Sequence, residues 1–552
     1  MNSRAAPTLP ELSAVPDSMS TLRSTLNYEP KELQFGTSGR RGLIVDLTQL
    51  EIYINVMAEL EYLQSLASGE GGIHKGDEIY YALDLRPSSP ILGEAVEQAV
   101  ADAGMRSVNL GRIPTPALMF YASGKVRASI MVTGSHIPFD RNGYKLNTSR
   151  GELLKHHETP IGAKVAEVRE SIYSQEFERS IFDMTGTLRV RRQMALAIDE
   201  GRDAYIARYM DFFSGQPASL AGRRILVYQH SAVGRDLLVD VLTALGAEVI
   251  PAGRSDSFVP IDTENIDAAQ LETIGKLANQ HNGLWAIVST DGDSDRPLIL
   301  AVDQRTGDVK FFGGDLVGMV VAGFLQADAV VVPITCNDAI DRGPLADVLE
   351  PKTRIGSPFV IAGMQAAAAK GRHAVCGWEA NGGFLLGSDI ERNGRTLTAL
   401  ATRDAFLPIL SVLFAAAERD CSVTQLFAEL PRRFSKAGLL KDFPRSASLG
   451  IIRRLTPLNE SGDIDEHARI ATDLARVFTR ARGFTSVARL DYTDGVRIIF
   501  SNNDVTHIRP SGNADELRIY ANADHQARAD AIVAEGVREP DGILRQLQRM
   551  VV

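Results

Sequence analysis

Asp291, Asp293 and Asp295 alternate with small residues, so their carboxylates can converge on one point while the backbone curls around it. Hard divalent cations prefer oxygen ligands in such an arrangement. An EF-hand loop also opens with alternating aspartates, but it needs Gly and Glu where this chain has Arg296 and Val302. The segment therefore predicts a divalent metal site, and the alternative is a solvated acidic turn.

Ser135 lies between Gly134 and His136, directly after an apolar run. In such a turn the hydroxyl could project toward a bound group, although serine in a glycine-rich turn is also ordinary turn chemistry. The Gly-x-Ser-x-Gly spacing of a hydrolase elbow is absent. Lys145 follows ten residues later, either as a solvated surface charge or, near phosphate, as a group that could exchange a proton.

Two further loops are basic and rich in small residues. Residues 509–513, followed by Arg518, combine a forked cation, a hydroxyl, an amide and a flexible backbone N–H, which is consistent with a phosphate cradle and equally with a tight turn that exposes an arginine. Residues 35–42 form another such loop, which includes Arg41. It fits neither the phosphate-binding nor the dinucleotide glycine motif, so a nucleotide cofactor lacks support.

The elements that must position these loops follow a recurring order. Over residues 78–132 the apolar pattern predicts strand, helix, strand, helix and strand, followed by the turn that holds Ser135. The order recurs over residues 224–289 before the aspartates, and a third round covers residues 329–377. Since ligands gather at the carboxyl ends of strands in open α/β sheets, we predict three related α/β domains with loops at equivalent places. The alternative is a coincidence of layout.

The end of the chain has a different pattern. Two apolar runs, 487–490 and 496–500, flank Asp494-Gly495, which is a hairpin signal. A strand at 517–520 and a helix near 526–535 follow, so we predict a smaller α+β domain. The predicted organisation is a flexible arm over residues 1–30 and four domains, 31–195, 196–305, 306–435 and 436–552, around a central cleft.

Composition limits the class of protein. The chain has 552 residues, of which 44% are hydrophobic and 23% charged, so it is neither disordered nor fibrous. The 59 Lys and Arg residues against 69 Asp and Glu give a formal charge of -10, which disfavours nucleic acid and anionic membranes as partners. No apolar stretch reaches the roughly 18 to 20 residues of a membrane span, and the first thirty residues lack a secretory signal. We expect a cytoplasmic protein whose three cysteines are reduced.

Taken in order, these loops resemble those of the α-D-phosphohexomutase superfamily, which includes phosphomannomutases, phosphoglucomutases and phosphoglucosamine mutases. The resemblance extends from about Phe35 to Tyr520. The segments that carry it are residues 35–42, 133–138 continuing through 142–145, 291–296, 379–382 and 509–512.

The resemblance implies a heart-shaped molecule in which each of four domains gives one loop to a central cleft. Ser135 would carry a phosphoryl group, and the three aspartates would hold Mg²⁺ against it. Arg41 and Arg296 would steady the transferring phosphate, and Lys145 would exchange a proton with the sugar hydroxyl. The phosphoserine would first give its phosphoryl group to the substrate, and the resulting hexose 1,6-bisphosphate would turn over and return the other one.

The resemblance also implies where the sugar phosphate is held. Glu379 and Asn381 would receive the sugar, and the hydroxyls at C3 and C4, which glucose and mannose share, suit a carboxylate acceptor. Dual specificity is therefore expected. Gly356 and Ser357 match a further substrate loop loosely, with a plain helix start as the alternative. The phosphate that is not reacting would be held by Arg509, Ser511, Gly512, Asn513 and Arg518.

The sequence departs from the superfamily pattern in the sugar loop. Several members carry a serine and a histidine where this chain has Asn381 and Gly383. A histidine acid or base from that loop is therefore absent, which leaves Lys145 or His136 for the proton transfer.

The expected function is a Mg²⁺-dependent phosphomannomutase/phosphoglucomutase that interconverts hexose 1-phosphate and hexose 6-phosphate and uses hexose 1,6-bisphosphate as activator. The expected partners are small hexose phosphates, with neither nucleic acid nor membrane, and the expected state is a monomer or a homodimer. The alternatives are a phosphoglucosamine mutase, a non-catalytic sugar-phosphate-binding relative and, more remotely, a phosphatase.

Overall fold

The computed structural model describes residues 20–36, 39–191, 193–264, 266–303, 306–457, 464–511 and 515–551. Residues 1–19 of the predicted arm lie outside this range. Residues 20–30 pack against the protein instead of forming a loose arm, because Leu22 is fully buried in the first hydrophobic core and its N–H donates to the Gln175 carbonyl. Within the described residues, no helix combines the length and the apolar character needed to cross a membrane.

The first sheet and its helices comprise α1 (Leu22–Thr25), β1 (Arg40–Leu43), α2 (Gln49–Ser65), β2 (Glu78–Leu83), α3 (Ser89–Asp102), β3 (Arg106–Asn109), α4 (Thr115–Gly124), β4 (Ser129–Val132), β5 (Arg141–Thr148), β6 (Gly151–Glu152) and α5 (Lys155–Tyr173). The strand order is β1-β5-β4-β2-β3, and β6 pairs with β5. β2 is parallel to β3 and β4, whereas β5 runs antiparallel to β4 and β1. All but the first residue of β2 are buried, as expected for a strand covered on both faces.

The second sheet and its helices comprise α6 (Glu200–Phe213), β7 (Arg224–His230), α7 (Arg235–Ala244), β8 (Glu248–Arg254), α8 (Ala268–Ala278), β9 (Ala286–Thr290), β10 (Pro297–Val302) and β11 (Val309–Phe312). The strand order is β11-β10-β9-β7-β8. β7 is parallel to β8 and β9, and β10 returns antiparallel to β9. The aspartate segment is therefore the turn of the β9–β10 hairpin.

The third sheet and its helices comprise α9 (Gly314–Leu325), β12 (Ala329–Val331), α10 (Ser357–Ala369), β13 (Val375–Trp378), β14 (Phe384–Leu386), β15 (Ile390–Arg392), β16 (Arg395–Leu397), β17 (Leu400–Asp404), α11 (Phe406–Glu418) and α12 (Val423–Ala428). The strand order is β12-β13-β14-β17, and β15 and β16 form a separate hairpin. Nearly all residues of α9 and α11 are buried, which fits their all-round apolar sequences.

The fourth sheet and its helices comprise β18 (Phe434–Leu440), α13 (Arg445–Leu455), α14 (Ile464–Val477), β19 (Val487–Asp491), β20 (Val496–Phe500), β21 (Val505–Pro510), β22 (Leu517–Ala523), α15 (Gln526–Val537) and α16 (Ile543–Arg549). The sheet is antiparallel, in the order β18-β22-β21-β20-β19. The predicted hairpin at Asp494-Gly495 connects β19 to β20, where Gly495 has a φ of +82°.

The predicted fold class, three related α/β units followed by an α+β unit, is confirmed. In the first three sheets a parallel strand enters the predicted loop and an antiparallel strand leaves it, as β4 and β5, β9 and β10, and β13 and β14. The sequence patterns missed these returning strands. One hydrophobic core joins the first three sheets, and the fourth sheet has its own core. The limits of the four domains stay a prediction.

Helix α9 approaches β13 closely because Gly318 has no side chain. A Cβ atom on Gly318 would lie 2.3 Å from the indole ring of Trp378, which is fully buried directly before Glu379. Gly318 therefore sets the distance between α9 and the strand that leads into the sugar loop.

We expect Gly318→Ala to destabilise the protein by about 1–3 kcal/mol, because the added methyl group overpacks the indole. The matched control is Gly323→Ala on the same helix, where a Cβ atom meets no other atom within 4 Å. Thermal unfolding followed by circular dichroism should show a lower Tm only for the first variant. Equal Tm values for both variants would contradict this account of the packing.

Candidate active site

The turn between β4 and β5 brings Ser135 to the aspartate loop. The Ser135 hydroxyl donates a hydrogen bond of 2.8 Å to Asp291 Oδ2, and its backbone N–H donates to Thr133 Oγ1 at 2.7 Å. Ser135 is fully buried and has a φ of +53°, a left-handed conformation that is costly for a residue with a side chain. The serine and aspartate loops, predicted from separate parts of the sequence, thus meet directly.

Arg86 holds the serine loop in this conformation. One terminal nitrogen of its guanidinium donates to the carbonyls of Pro138 and Arg141 at 2.8 and 2.9 Å, and the other donates to those of Ser135 and Ile137 at 3.0 and 2.6 Å. The planar fork of arginine can meet four carbonyl oxygens in this way, whereas lysine cannot.

Gly134 and Asp84 complete this clamp. A Cβ atom on Gly134 would lie 2.6 Å from Arg86 Nε, so only glycine fits there. Asp84 Oδ2 accepts hydrogen bonds from the Thr133 hydroxyl at 2.9 Å and from Gly134 N–H at 3.3 Å. Burial raises the pKa of Asp84, and the adjacent Arg86 opposes that shift. Sequence analysis missed Asp84 and Arg86, although their position directly after β2 was a signal that could have found them.

The residues of the aspartate loop fit a cation. Asp291, Asp293 and Asp295 are fully buried, and one ligand oxygen from each lies within 4.8 Å of the others. In the described part of the chain, the Oδ1 atoms of Asp293 and Asp295 accept no hydrogen bond although they are buried. Mg²⁺ prefers oxygen ligands, and two carboxylate oxygens without a hydrogen-bond donor beside a third carboxylate can supply them. Burial and the two other carboxylates raise the pKa of Asp291 well above its ordinary value.

Lys145 supplies a positive charge to this loop. It extends from β5, and its Nζ lies 2.7 Å from Asp293 Oδ2 and 2.8 Å from Asp295 Oδ2. Burial alone would raise the pKa of Asp293, but the Lys145 ammonium group holds it well below its ordinary value. A small pocket beside Lys145 is also lined by Glu152 and Thr402.

Arg296, His136 and Arg41 form a positive region beside Ser135. Arg296 donates to His136 Nδ1 at 2.9 Å, so the proton of the neutral imidazole is assigned to Nε2. Burial, Arg296 and Arg41 hold the pKa of His136 well below its ordinary value. Desolvation and the charge of Arg296 lower the pKa of Arg41 to about 10, so Arg41 remains charged at neutral pH. This region can attract an anion.

The turn between β13 and β14 places Glu379 at the same centre. Glu379 is buried and accepts a hydrogen bond of 3.2 Å from Arg403, which also donates to Asp295 Oδ2 at 3.1 Å. Asn381 Oδ1 accepts from the Gly383 N–H within the turn, at 3.0 Å. Sequence analysis missed Arg403, because the predicted loops do not include the end of β17.

Gly356 and Ser357 lie at the start of α10, and their predicted contact with the substrate stays a prediction. Gly356 has a φ of +124° directly before the helix, and Ser357 is its first residue. The Ser357 hydroxyl donates to Glu152 Oε2 at 2.7 Å, and the preceding N–H of Ile355 donates to Asp494 at 3.1 Å. This helix start therefore contacts both the first and the fourth sheet.

Of the predicted phosphate cradle, Gly512 and Asn513 lie outside the described residues. Arg509 and Arg518 are directly opposite each other on β21 and β22, and Ser511 is buried beside them. Arg509 Nε donates to Asp494 Oδ1 at 3.1 Å, and Arg518 pairs with Glu516 at 3.4 Å.

Glu264 is an exposed residue whose carboxyl group is affected by charges from the aspartate loop and from the predicted cradle. Desolvation and the carboxylates of Asp262 and Asp315 raise its pKa. The charges of Arg296 and Arg518 oppose that shift. Arg296 from the second sheet and Arg518 from the fourth thus act on one carboxyl group.

Comparisons with known proteins identify the family of the chain. Models of phosphoglucomutase/phosphomannomutase domain I, domain III and the C-terminal domain match residues 32–171, 313–434 and 456–539. A phosphomannomutase of Salmonella muenchen is 37% identical over 91% of this chain and 94% of its own length. A phosphomannomutase of Sinorhizobium fredii is 35% identical over 91% of this chain and 98% of its own length.

Among solved structures, a phosphomannomutase from Thermus thermophilus, described as putative, shares the fold with a TM-score of 0.64. It is 20% identical over 92% of this chain and 98% of its own chain. Fold and sequence together define a phosphohexomutase. The chain belongs to the phosphoglucomutase/phosphomannomutase family, within the α-D-phosphohexomutase superfamily.

The clamp on the serine loop can be tested with Arg86→Lys. We expect kcat for sugar-phosphate interconversion to fall about 10- to 100-fold, because the loop loses the fork that fixes it. The matched control is Arg106→Lys on the exposed end of β3, where the side chain is 69% exposed. Activity of Arg86→Lys within twofold of wild type would refute the role of the clamp.

The metal site can be tested by thermal unfolding without any activity assay. Mg²⁺ at about 100 times its Kd should stabilise the wild-type protein by ~2.7 kcal/mol and raise its Tm, and a chelator should reverse the effect. Asp291→Asn should abolish the response, whereas Asp262→Asn, at an exposed aspartate, should retain it. The same Mg²⁺ response in wild type and Asp291→Asn would exclude this site.

Proposed function

We propose that this phosphohexomutase is a Mg²⁺-dependent phosphomannomutase/phosphoglucomutase that acts through a phosphoserine at Ser135. The observation that carries the proposal is the 2.8 Å hydrogen bond between Ser135 Oγ and Asp291, which are 156 positions apart in the chain. A buried serine hydroxyl beside three carboxylates has little use without a cation and an anionic group. A divalent ion would balance the negative charge of the three carboxylates, and a phosphoryl group on Ser135 would be the anion that binds this ion.

Asp291, Asp293, Asp295 and the phosphoryl oxygens on Ser135 would hold the Mg²⁺ ion. When bound, the ion supplies positive charge that neutralises the phosphoryl oxygens. Arg41 and Arg296 supply further positive charge from the protein itself, and Arg86 keeps the serine loop fixed while the phosphoryl group leaves. Positioning and electrostatics of this kind account for most of the catalysis in phosphoryl transfer.

Each half-reaction exchanges one phosphorus–oxygen bond for another. The bond between phosphorus and Ser135 Oγ breaks while a hydroxyl oxygen of the hexose phosphate bonds to phosphorus, which gives hexose 1,6-bisphosphate. The hydroxyl proton leaves to a base, and Ser135 regains a proton. We assign this exchange to Lys145 and His136, since Lys145 Nζ can pass a proton to the Asp293 and Asp295 carboxylates at 2.7 and 2.8 Å, and His136 Nδ1 lies 3.4 Å from Ser135 Oγ.

The two ends of the substrate are held by different sheets. Glu379 accepts bonds from adjacent sugar hydroxyls, with Asn381 in the same turn. Arg509, Arg518 and Ser511 bind the phosphate that is not reacting, together with Gly512 and Asn513. After the intermediate turns over, the second half-reaction returns the other phosphoryl group to Ser135. A second anion receptor favours a mutase over a phosphatase, because simple hydrolysis does not need one.

The decisive test is Ser135→Ala assayed with mannose 1-phosphate and glucose 1-phosphate. We expect kcat to fall by about 10⁴-fold or more with both substrates, because the nucleophile is lost. Intact-mass measurement after priming with glucose 1,6-bisphosphate should detect a phosphoryl group on the wild-type protein only, and added mannose 1-phosphate should remove it.

The matched control is Ser123→Ala on the exposed end of α4, which should retain both activity and phosphorylation. Turnover by Ser135→Ala near the wild-type rate would defeat the proposed nucleophile. A parallel assay with glucosamine 6-phosphate decides between sugars. A higher kcat/KM with the amino sugar than with mannose and glucose phosphates would replace this proposal with a phosphoglucosamine mutase.

A further inference from the structure

The contact between Gly383 and Arg403 has no role in the mechanism above. Gly383 is buried at the end of the sugar loop, and a Cβ atom on it would lie 2.5 Å from Arg403 Cδ and 2.7 Å from Cγ. The Arg403 side chain therefore occupies the space that any larger residue at position 383 would need. Glycine at this position and arginine at position 403 are sterically linked.

Arg403 uses this space to connect two functional loops. It is 2% exposed, and its Nε donates to Asp295 Oδ2 at 3.1 Å while one terminal nitrogen donates to Glu379 Oε2 at 3.2 Å. Burial alone would lower the pKa of Arg403, but Asp295 and Glu379 raise it well above its ordinary value. The guanidinium is therefore a permanent cation between the metal loop and the sugar loop.

The residues around Arg403 extend this connection to the first sheet. The neighbouring Thr402 donates to Glu152 Oε1 at 2.6 Å, and Glu152 also accepts the Ser357 hydroxyl. The backbone that carries Arg403 is thus held on the side of Thr402. Because charged buried groups keep their geometry only when every member is paired, a change at Arg403 must alter the position of Glu379.

We propose that Arg403 is the positioning residue of the sugar site, and that Gly383 is the glycine its placement requires. The inference rests on the proposed function, since it takes Glu379 to be the receptor for sugar hydroxyls. Arg403 fixes the Glu379 carboxylate at a set distance from the metal loop. The sugar is thereby held at a fixed distance from the phosphoryl group on Ser135.

Arg403→Lys and Gly383→Ala test the pair from its two sides. Lysine keeps the charge but cannot reach both carboxylates as a fork, and the alanine methyl group displaces the arginine. Each variant should raise KM for mannose 1-phosphate roughly 10- to 100-fold while kcat changes less, since Glu379 binds the sugar in both ground and transition states. The increases in KM caused by Gly383→Ala and by Arg403→Ala alone should not add in the double variant Gly383→Ala/Arg403→Ala, because both substitutions act through the Arg403 side chain.

A second readout is independent of turnover and of Mg²⁺. In a Ser135→Ala background with chelator, calorimetry should show that either substitution weakens mannose 1-phosphate binding by a factor similar to the KM change. The matched control is Arg392→Lys in the β15–β16 hairpin. It disrupts the bidentate ion pair between Arg392 and Glu418 of α11 and should leave KM and binding unchanged. Thermal unfolding of each variant reports whether it is folded.

The outcomes separate the two proposals. Absence of interconversion by the wild-type protein defeats the proposed function itself. An active wild-type protein with KM and binding unchanged in either variant overturns the role of Arg403 alone. A fall in kcat and Tm at constant KM also overturns it, because that result describes a structural residue and not one that positions Glu379.

Discussion

Three buried carboxylates within 4.8 Å of one another repel strongly, and they stay together only because cations surround them. Lys145 comes from the first sheet, Arg296 from the loop itself and Arg403 from the third sheet. The aspartate loop therefore brings together residues that belong to different sheets. At the active site, cations from three units neutralise the charge of the same three aspartates. The geometry of the site therefore depends on how these units pack.

The first three sheets share one local arrangement, which explains why the turns after β4, β9 and β13 lie close together although their sequences differ. In each of the first three sheets a buried strand leads into a polar turn and returns antiparallel, through β4 and β5, β9 and β10, and β13 and β14. Each turn therefore leaves its sheet at the same place, the carboxyl end of a strand next to the parallel ones. The chemistry lies in the turns, while the strands supply rigid support that is buried on both faces.

The family resemblance implied that Ser135 lies next to the aspartates, and the apolar runs predicted most helices, because such runs have strong local signals. It did not predict Arg86, Arg403 or Lys145 in their roles as clamp, connector and counter-ion. Their function depends on partners more than 20 positions away, such as the carbonyls of 135–141 for Arg86, and no local pattern reports such contacts. Strand β5 was missed for a related reason: its polar residues are buried against partners in other loops, which hides the alternation typical of a strand.

The two halves of the proposed substrate site differ in how they are held. The residues around Ser135 lie on three sheets that share one large hydrophobic core, whereas the predicted phosphate cradle lies on a sheet whose core is separate. Polar contacts join the two, among them Arg433 with Asp524 at 3.0 Å and Arg354 with the Thr493 carbonyl at 3.2 Å. Apolar cores resist rearrangement more than polar joints do. In the proposed reaction, phosphoryl transfer needs fixed geometry around the serine, while a substrate that presents first one end and then the other would need a receptor that can adjust, and a separate core for the fourth sheet is consistent with both needs.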